Sequence, residues 1–239
     1  MCKTAIIIGA TSGIGKELTL QLVKDGYKVG ITGRRLNLLQ DLRNEYPRNI
    51  EIQQFDVSNI DTVSNNFESL MNRLGECNLC IISAGTGDIN KTLSPEIEQK
   101  TIATNVLGFT AVIDWIFNYF AQHNGGHIVG ISSLASLRGS AAAPTYNASK
   151  AYQSNYMEGL RQKANKLNKQ IYITDIRPGL VDTAMAKGDG LFWVAPVNKA
   201  VTQIYKAIKN KKKVAYITKR WCLIAFLFKI MPRAIYERI

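Results

Sequence analysis

Tyr146 and Lys150 lie four residues apart in the run Tyr146-Asn147-Ala148-Ser149-Lys150, and Ser133 precedes Tyr146 by thirteen residues. If the segment from Thr145 to Leu167 is a helix, positions i and i+4 share one face, and a phenol and an ammonium point into the same space. A phenol beside a fixed cation is suited to proton transfer, because the cation favours the phenolate. Ser133 follows the run His127-Ile128-Val129-Gly130-Ile131-Ser132, which reads as a buried strand. A hydroxyl at the C-terminal end of a parallel strand lies where open α/β sheets bind ligands. Taken alone, the same pair also fits a half-buried helix tyrosine with a solvated lysine.

The elements that must position these groups begin at the N-terminus. Thr4 to Ile8 is a short apolar strand, followed by Gly9-Ala10-Thr11-Ser12-Gly13-Ile14-Gly15 and a helical pattern with Leu18, Leu22 and Val23 on one face. Gly9 permits the tight turn, Gly13 lets the backbone approach a pyrophosphate, and Gly15 lets helix pack on strand. The helix N-terminus offers free N–H groups and a positive dipole end, and Ser12 adds a hydroxyl donor. Gly9, Thr11, Ser12, Gly13, Ile14 and Gly15 are therefore candidate cofactor-binding residues. A second strand, Tyr27 to Thr32, ends at Gly33-Arg34-Arg35. An acid there would bind the ribose 2′-hydroxyl of NAD. Arg34 and Arg35 suit a 2′-phosphate instead, so NADP is expected over NAD.

The rest of the chain alternates. Strands are expected at Ile50 to Phe55, Asn78 to Ile82, Gly126 to Ser132, Gln170 to Ile176 and Lys213 to Ile217. Helices are expected at Asn59 to Arg73, Pro95 to Phe120 (as one or two), Thr145 to Leu167 and Asn198 to Lys209. Alternation of this kind makes a parallel sheet with right-handed crossovers. The expected fold is α/β: one Rossmann domain with a doubly wound, seven-stranded parallel sheet and helices on both faces. The 239 residues suffice for one such core. Residues 1–218 are read as the cofactor-binding catalytic domain and 219–239 as a basic, apolar helical extension of it.

Cys2, Cys77, Cys80 and Cys222 suggest no disulfide framework. Cys77 and Cys80 have zinc-like spacing but no second ligand pair, and read as buried thiols; no metal is expected. His123 and His127 read as surface or strand-end residues. No secretory signal is evident, because Met1 to Lys16 becomes strand and glycine turn, so a cytoplasmic protein is expected.

These motifs together resemble the short-chain dehydrogenase/reductase family, in its single-domain branch, over about Lys3 to Ile217. The resemblance implies that Asn105, Ser133, Tyr146 and Lys150 are the catalytic residues. It implies that Asp56 and Val57 contact the adenine, and that Ala84 and Gly85 form a backbone wall beside the cofactor. It implies that Pro178 and Gly179 open a loop in which Val181 and Thr183 would touch the nicotinamide carboxamide. It implies hydride transfer between nicotinamide and a ketone or secondary alcohol, with Tyr146 as general acid, Ser133 as donor to the substrate oxygen, and Asn105 holding a water that links Lys150 to solvent. Lys150 and the oxidised nicotinamide would lower the tyrosine pKa, and Lys150 would also hold the ribose hydroxyls. Enoyl reductases of the family use a wider tyrosine–lysine spacing, and position 153 here is Gln153. The family usually has two asparagines before the Ala-Gly pair, where this chain has Ile82-Ser83. A homodimer or homotetramer is also implied, through the helices holding Asn105 and Tyr146.

The net charge is +12, and most of it is local. From Lys199 onward there are eleven Lys or Arg and one acid, Glu237. Within that region, Trp221 to Phe228 is an uninterrupted apolar run too short to span a bilayer. It suits a subunit contact, a cover over the pocket, or an interfacial helix on an anionic membrane. Basic residues interleaved with apolar surface argue against nucleic acid. The loop from Ala184 to Ala195 carries Met185, Leu191, Phe192 and Trp193, which points to a bulky apolar or lipid-like carbonyl substrate. The alternatives are an idle NADP-binding sensor or scaffold, and a lipid-binding protein on the same fold.

Overall fold

The computed structural model describes residues 3–186 and 192–238; Cys2 and Leu191 lie outside them. Seven parallel strands form one sheet in the order β3-β2-β1-β4-β5-β6-β7. They are β1 (Thr4–Ile8), β2 (Lys28–Gly33), β3 (Ile50–Gln54), β4 (Leu79–Ile82), β5 (Gly126–Ile131), β6 (Ile171–Pro178) and β7 (Val214–Ile217). The order reverses direction between β1 and β4, so a crevice opens there at the C-terminal strand ends.

Both faces of the sheet are covered, which is why its central strands are apolar at nearly every position. On β1, Ala5 and Ile7 pack into one core, with α1 (Gly13–Lys24), α2 (Leu36–Glu45) and α7 (Val197–Lys209). Ile6 and Ile8 point the other way, toward α3 (Val63–Leu74), α5 (Phe109–Gln122) and α6 (Pro144–Lys166). α4 (Pro95–Ile102) runs through a π-helical segment, Ala103–Gly108, directly into α5. A third, smaller cluster joins α8 (Trp221–Ile230) to the turn after β5, through Leu134, Trp221 and Ala225. The short α9 (Arg233–Tyr236) ends the described chain.

One expectation changes. β6 continues through Arg177 and Pro178, because both pair with β7 at Tyr216 and Ile217. Of the surface or strand-end places expected for the histidines, His127 takes the strand end: it sits second in β5, is buried, and bonds Thr174 Oγ1 at 2.7 Å. His123 is exposed. Cys77 and Cys80 are buried, and burial pushes the Cys77 thiol up to about 12. Among the described residues no helix is long and apolar enough to cross a membrane.

Candidate active site

The glycine turn bridges β1 to α1, and three of its residues need hydrogen in place of a side chain. Gly9 has φ +87°, and a Cβ there would lie 2.6 Å from Ala84 N. Gly13 has φ +54°, and a Cβ on Gly15 would overlap the Gly9 carbonyl. The turn therefore presents bare backbone to the crevice, at the N-terminus of a 12-residue helix. Ser83 replaces one of the expected asparagines, and backbone bonds do the bracing: Ser83 N and Ala84 N both donate to Ile8 O at 2.8 Å. Thr32 Oγ1, buried at the end of β2 beside this turn, has no hydrogen-bond partner among the described residues.

The two arginines behave differently. Arg35 donates to Thr11 Oγ1 at 2.7 Å and to Ser12 Oγ at 3.0 Å, tying the end of β2 to the glycine turn. Arg34 lies 3.6 Å from Asp56 Oδ2 in an exposed pair. Burial opposes ionisation of Asp56, but the Ser58 N–H and hydroxyl bonds and Arg34 outweigh it and hold the carboxyl below its usual range. An exposed ion pair is weak, so Arg34 is free to turn to a stronger anion.

On the other side of the crevice, Pro144 opens α6 at the first helical position, and the helix carries Tyr146, Ser149, Lys150 and Gln153 toward the sheet. The Ser133 side chain lies beside the Tyr146 phenol, whose ionised form it favours, and its hydroxyl accepts from Ala135 N at 3.1 Å. Burial raises the Tyr146 pKa and Ser133 only partly offsets it, so the phenol is protonated near neutrality. Lys150 is buried, with Nζ 5.8 Å from the Tyr146 ring centre. It donates to Ile131 O and to Gln153 Oε1, each at 3.0 Å. Burial pushes its pKa down to about 8, against the pull of Asp175.

Asn105 sits in the π-helical segment, a local widening that often marks a functional position. Its Oδ1 accepts from Thr86 N at 2.9 Å, and its Nδ2 donates to Thr86 O at 2.7 Å and Ser149 Oγ at 3.0 Å. Gly108 permits this segment's close approach, since a Cβ there would meet the Val57 carbonyl at 2.5 Å. Gln153 Nε2 donates to the Asn105 carbonyl at 2.9 Å, and its Oε1 accepts from Lys150, so a side-chain amide connects the two residues. Nothing in the sequence signals this role for Gln153, beyond a polar residue one helical turn past Lys150.

One cavity of about 800 Å³ joins all these groups. It is lined by Gly9, Thr11, Ser12, Gly13, Ile14, Arg34, Arg35, Asp56, Val57, Ala84, Gly85, Ser133, Tyr146, Lys150, Pro178, Gly179, Val181 and Thr183. Asn105 stands behind the wall, fully buried, and Gly15 packs under the turn. Its wall also contains Phe192 from the loop expected to shape the substrate site, Trp221, Ile224 and Phe228 from the run read as a possible cover over the pocket, and Leu134, which the sequence reading did not identify. Trp221 Nε1 is buried with no hydrogen-bond partner among the described residues, and its indole packs on Gly179, where a Cβ would overlap it. The arrangement can hold an extended anionic ligand along the turn. It can also place a carbonyl group against two hydroxyls backed by a buried ammonium.

The sequence profile of the short chain dehydrogenase family matches residues 3–190. An uncharacterized oxidoreductase of Myxococcus xanthus is 35% identical over 188 residues, 77% of this chain and 74% of the relative. The NADP-dependent 3-hydroxy acid dehydrogenase YdfG of Escherichia coli is 30% identical over 179 residues, 74% of this chain and 71% of the relative. Among solved structures, the closed form of serine dehydrogenase complexed with NADP+ aligns with TM-score 0.78 and 26% identity, covering 85% of this chain and 88% of that one.

Proposed function

The chain belongs to the short-chain dehydrogenase/reductase family, and from that premise we propose that it is an NADP(H)-dependent reductase of ketones, or the corresponding alcohol dehydrogenase, acting on a bulky apolar substrate. The observation that carries this reading is the convergence of Ser133, Tyr146 and buried Lys150 on the wall of one cavity with the glycine turn.

The residues present fit a dinucleotide. The glycine turn offers a cradle that a Cβ at Gly9 would fill, and Thr32 Oγ1 waits unpartnered beside it. Gly9, Thr11, Ser12, Gly13, Ile14 and Gly15 would hold the pyrophosphate, Arg34 and Arg35 the 2′-phosphate, and Asp56 and Val57 the adenine. Ala84 and Gly85 would wall the ribose that Lys150 binds, and Pro178, Gly179, Val181 and Thr183 would hold the carboxamide. When bound, the cofactor supplies the hydride.

The protein's own part is to polarise the carbonyl and deliver a proton. Ser133 Oγ donates to the substrate oxygen, stabilising negative charge as it develops. Tyr146 gives its phenolic proton to that oxygen, for which its raised pKa keeps it supplied. Lys150 then stabilises the phenolate left behind. Gln153 and Asn105 keep Lys150 in place. Leu134, Phe192, Trp221, Ile224 and Phe228 favour an apolar substrate body over a small polar one.

The test is NADPH and NADH oxidation by the purified protein against small diketones, acyl thioesters, steroids and long-chain ketones, with Tyr146→Phe as control. NADPH-dependent turnover of an apolar ketone, reduced roughly 100-fold or more in the variant, is expected. Preference for NADH would refute the arginine assignment. Tight NADPH binding without turnover across the panel would favour the sensor reading.

A further inference from the structure

α8 is apolar at every position but Lys229, near its end, and only one side of it is used. Trp221 and Ala225 are buried, and Trp221, Ile224 and Phe228 line the cavity. Leu223, Phe226, Leu227 and Ile230 point away from the body and are 66%, 61%, 48% and 59% exposed. A helix that is hydrophobic all round is normally covered on all sides. This one is no frayed tail: Arg138 Nε donates to Phe228 O at 2.7 Å, its Nη2 bonds Met231 O, and Tyr236 Oη bonds Gly139 O at 2.6 Å. Its outward side is therefore a fixed surface. Ile235 on α9, 55% exposed, adds to the apolar surface of this C-terminal region.

The charges that flank it in the chain are mostly positive. Lys219, Arg220, Lys229, Arg233 and Arg238 accompany this surface, all of them exposed, against the single acid Glu237. A second copy packed here about a two-fold axis would bring like charges together, since such an interface is self-complementary. An anionic lipid surface meets both requirements, taking the apolar side chains below the headgroups and the cations at phosphate level.

We propose that the outward face of α8 docks the protein on an anionic bilayer. The cavity wall is the other face of the same helix, so docking brings that wall, at Trp221, Ile224 and Phe228, within about one helix diameter of the lipid, on the order of 10 Å. The docking is independent of the reaction proposed above, because binding is read without turnover.

The test is co-flotation of the full chain with vesicles of equal parts phosphatidylcholine and phosphatidylglycerol, beside vesicles of phosphatidylcholine alone. Binding is expected to the anionic vesicles only, and to weaken with salt. Phe226→Ser with Leu227→Ser is expected to lower the partition coefficient roughly tenfold or more. Lys229→Gln with Arg233→Gln should lower it by a similar factor. All four side chains are exposed, and an unchanged thermal melt would show that the fold is kept. Three results would overturn the proposal: no binding to anionic vesicles, binding that the apolar double variant leaves intact, or a lipid-free dimer that the same variant converts to monomer. The last would assign the face to a second copy.

Discussion

Lys150 and Asn105 are joined through one side chain: Gln153 accepts from Lys150 Nζ at 3.0 Å and donates to the Asn105 carbonyl at 2.9 Å. A carboxamide is neutral, accepting at its oxygen and donating at its nitrogen. The buried ammonium thus gains an acceptor without a compensating charge, and burial still depresses its pKa to about 8. The charged form that supports Tyr146 is present below that pH and lost above it. The kcat/KM profile of the reductase should therefore fall on its basic side near pH 8. Gln153→Glu places a carboxylate beside Nζ and should move that limb up by about 1–3 units. A pH–rate profile that the substitution leaves in place would show that Gln153 does not set the state of Lys150.

The two arginines should separate kinetically. The Arg34 side chain pairs with Asp56 in an exposed pair, so Arg34→Ala is expected to raise the KM for NADPH by about 10- to 100-fold and leave that for NADH nearly unchanged. Arg35 also ties down Thr11 and Ser12, so Arg35→Ala should weaken both cofactors. Equal effects of both variants on both cofactors would contradict this division.

Gly87 packs on the Tyr146 ring, and a Cβ there would overlap Cδ2. Gly87→Ala should displace the phenol from Ser133 and lower kcat on the order of 100-fold, because small misplacements of a reacting group are costly. NADPH affinity, followed by fluorescence titration, should change little. A normal kcat would mean that the loop yields instead of the ring.

His127 gives a stability prediction. Burial, with Lys211 adding to it, pushes its pKa from 6.5 down to about 4. Between these values the unfolded chain binds the proton and the native chain does not. Stability is therefore full above pH 6.5 and falls as pH drops toward 4, at up to about 1.4 kcal/mol per pH unit from this residue. His127→Gln removes the titration, so denaturant midpoints across this window should fall less steeply than in the parent protein. Parallel slopes would show that His127 is protonated in the fold.

What the sequence by itself determined was local. The strand, glycine turn and helix from Thr4 to Lys24 follow from strand and helix periodicity and from conformations open only to glycine. Tyr146 and Lys150 share a face of α6 because a helix brings i and i+4 together, and Ser133 follows β5 because an apolar run ends there. The seven-strand alternation was legible for the same reason, to within a few residues at each end. Tertiary structure decided whatever depends on partners distant in the chain. Arg177 and Pro178 belong to β6 only because β7 pairs with them, and His127 is buried only because other elements pack over the start of β5. Gln153 was visible as a polar helix residue, but its two bonds exist because the π-helical segment delivers the Asn105 carbonyl, 48 residues away, to its amide. In α8 the apolar run was plain, yet which side chains enter the cavity and which face outward was fixed by where Trp221 docks against Leu134 and Gly179. Periodicity says that a helix has faces, and only the packed fold assigns each face a neighbour.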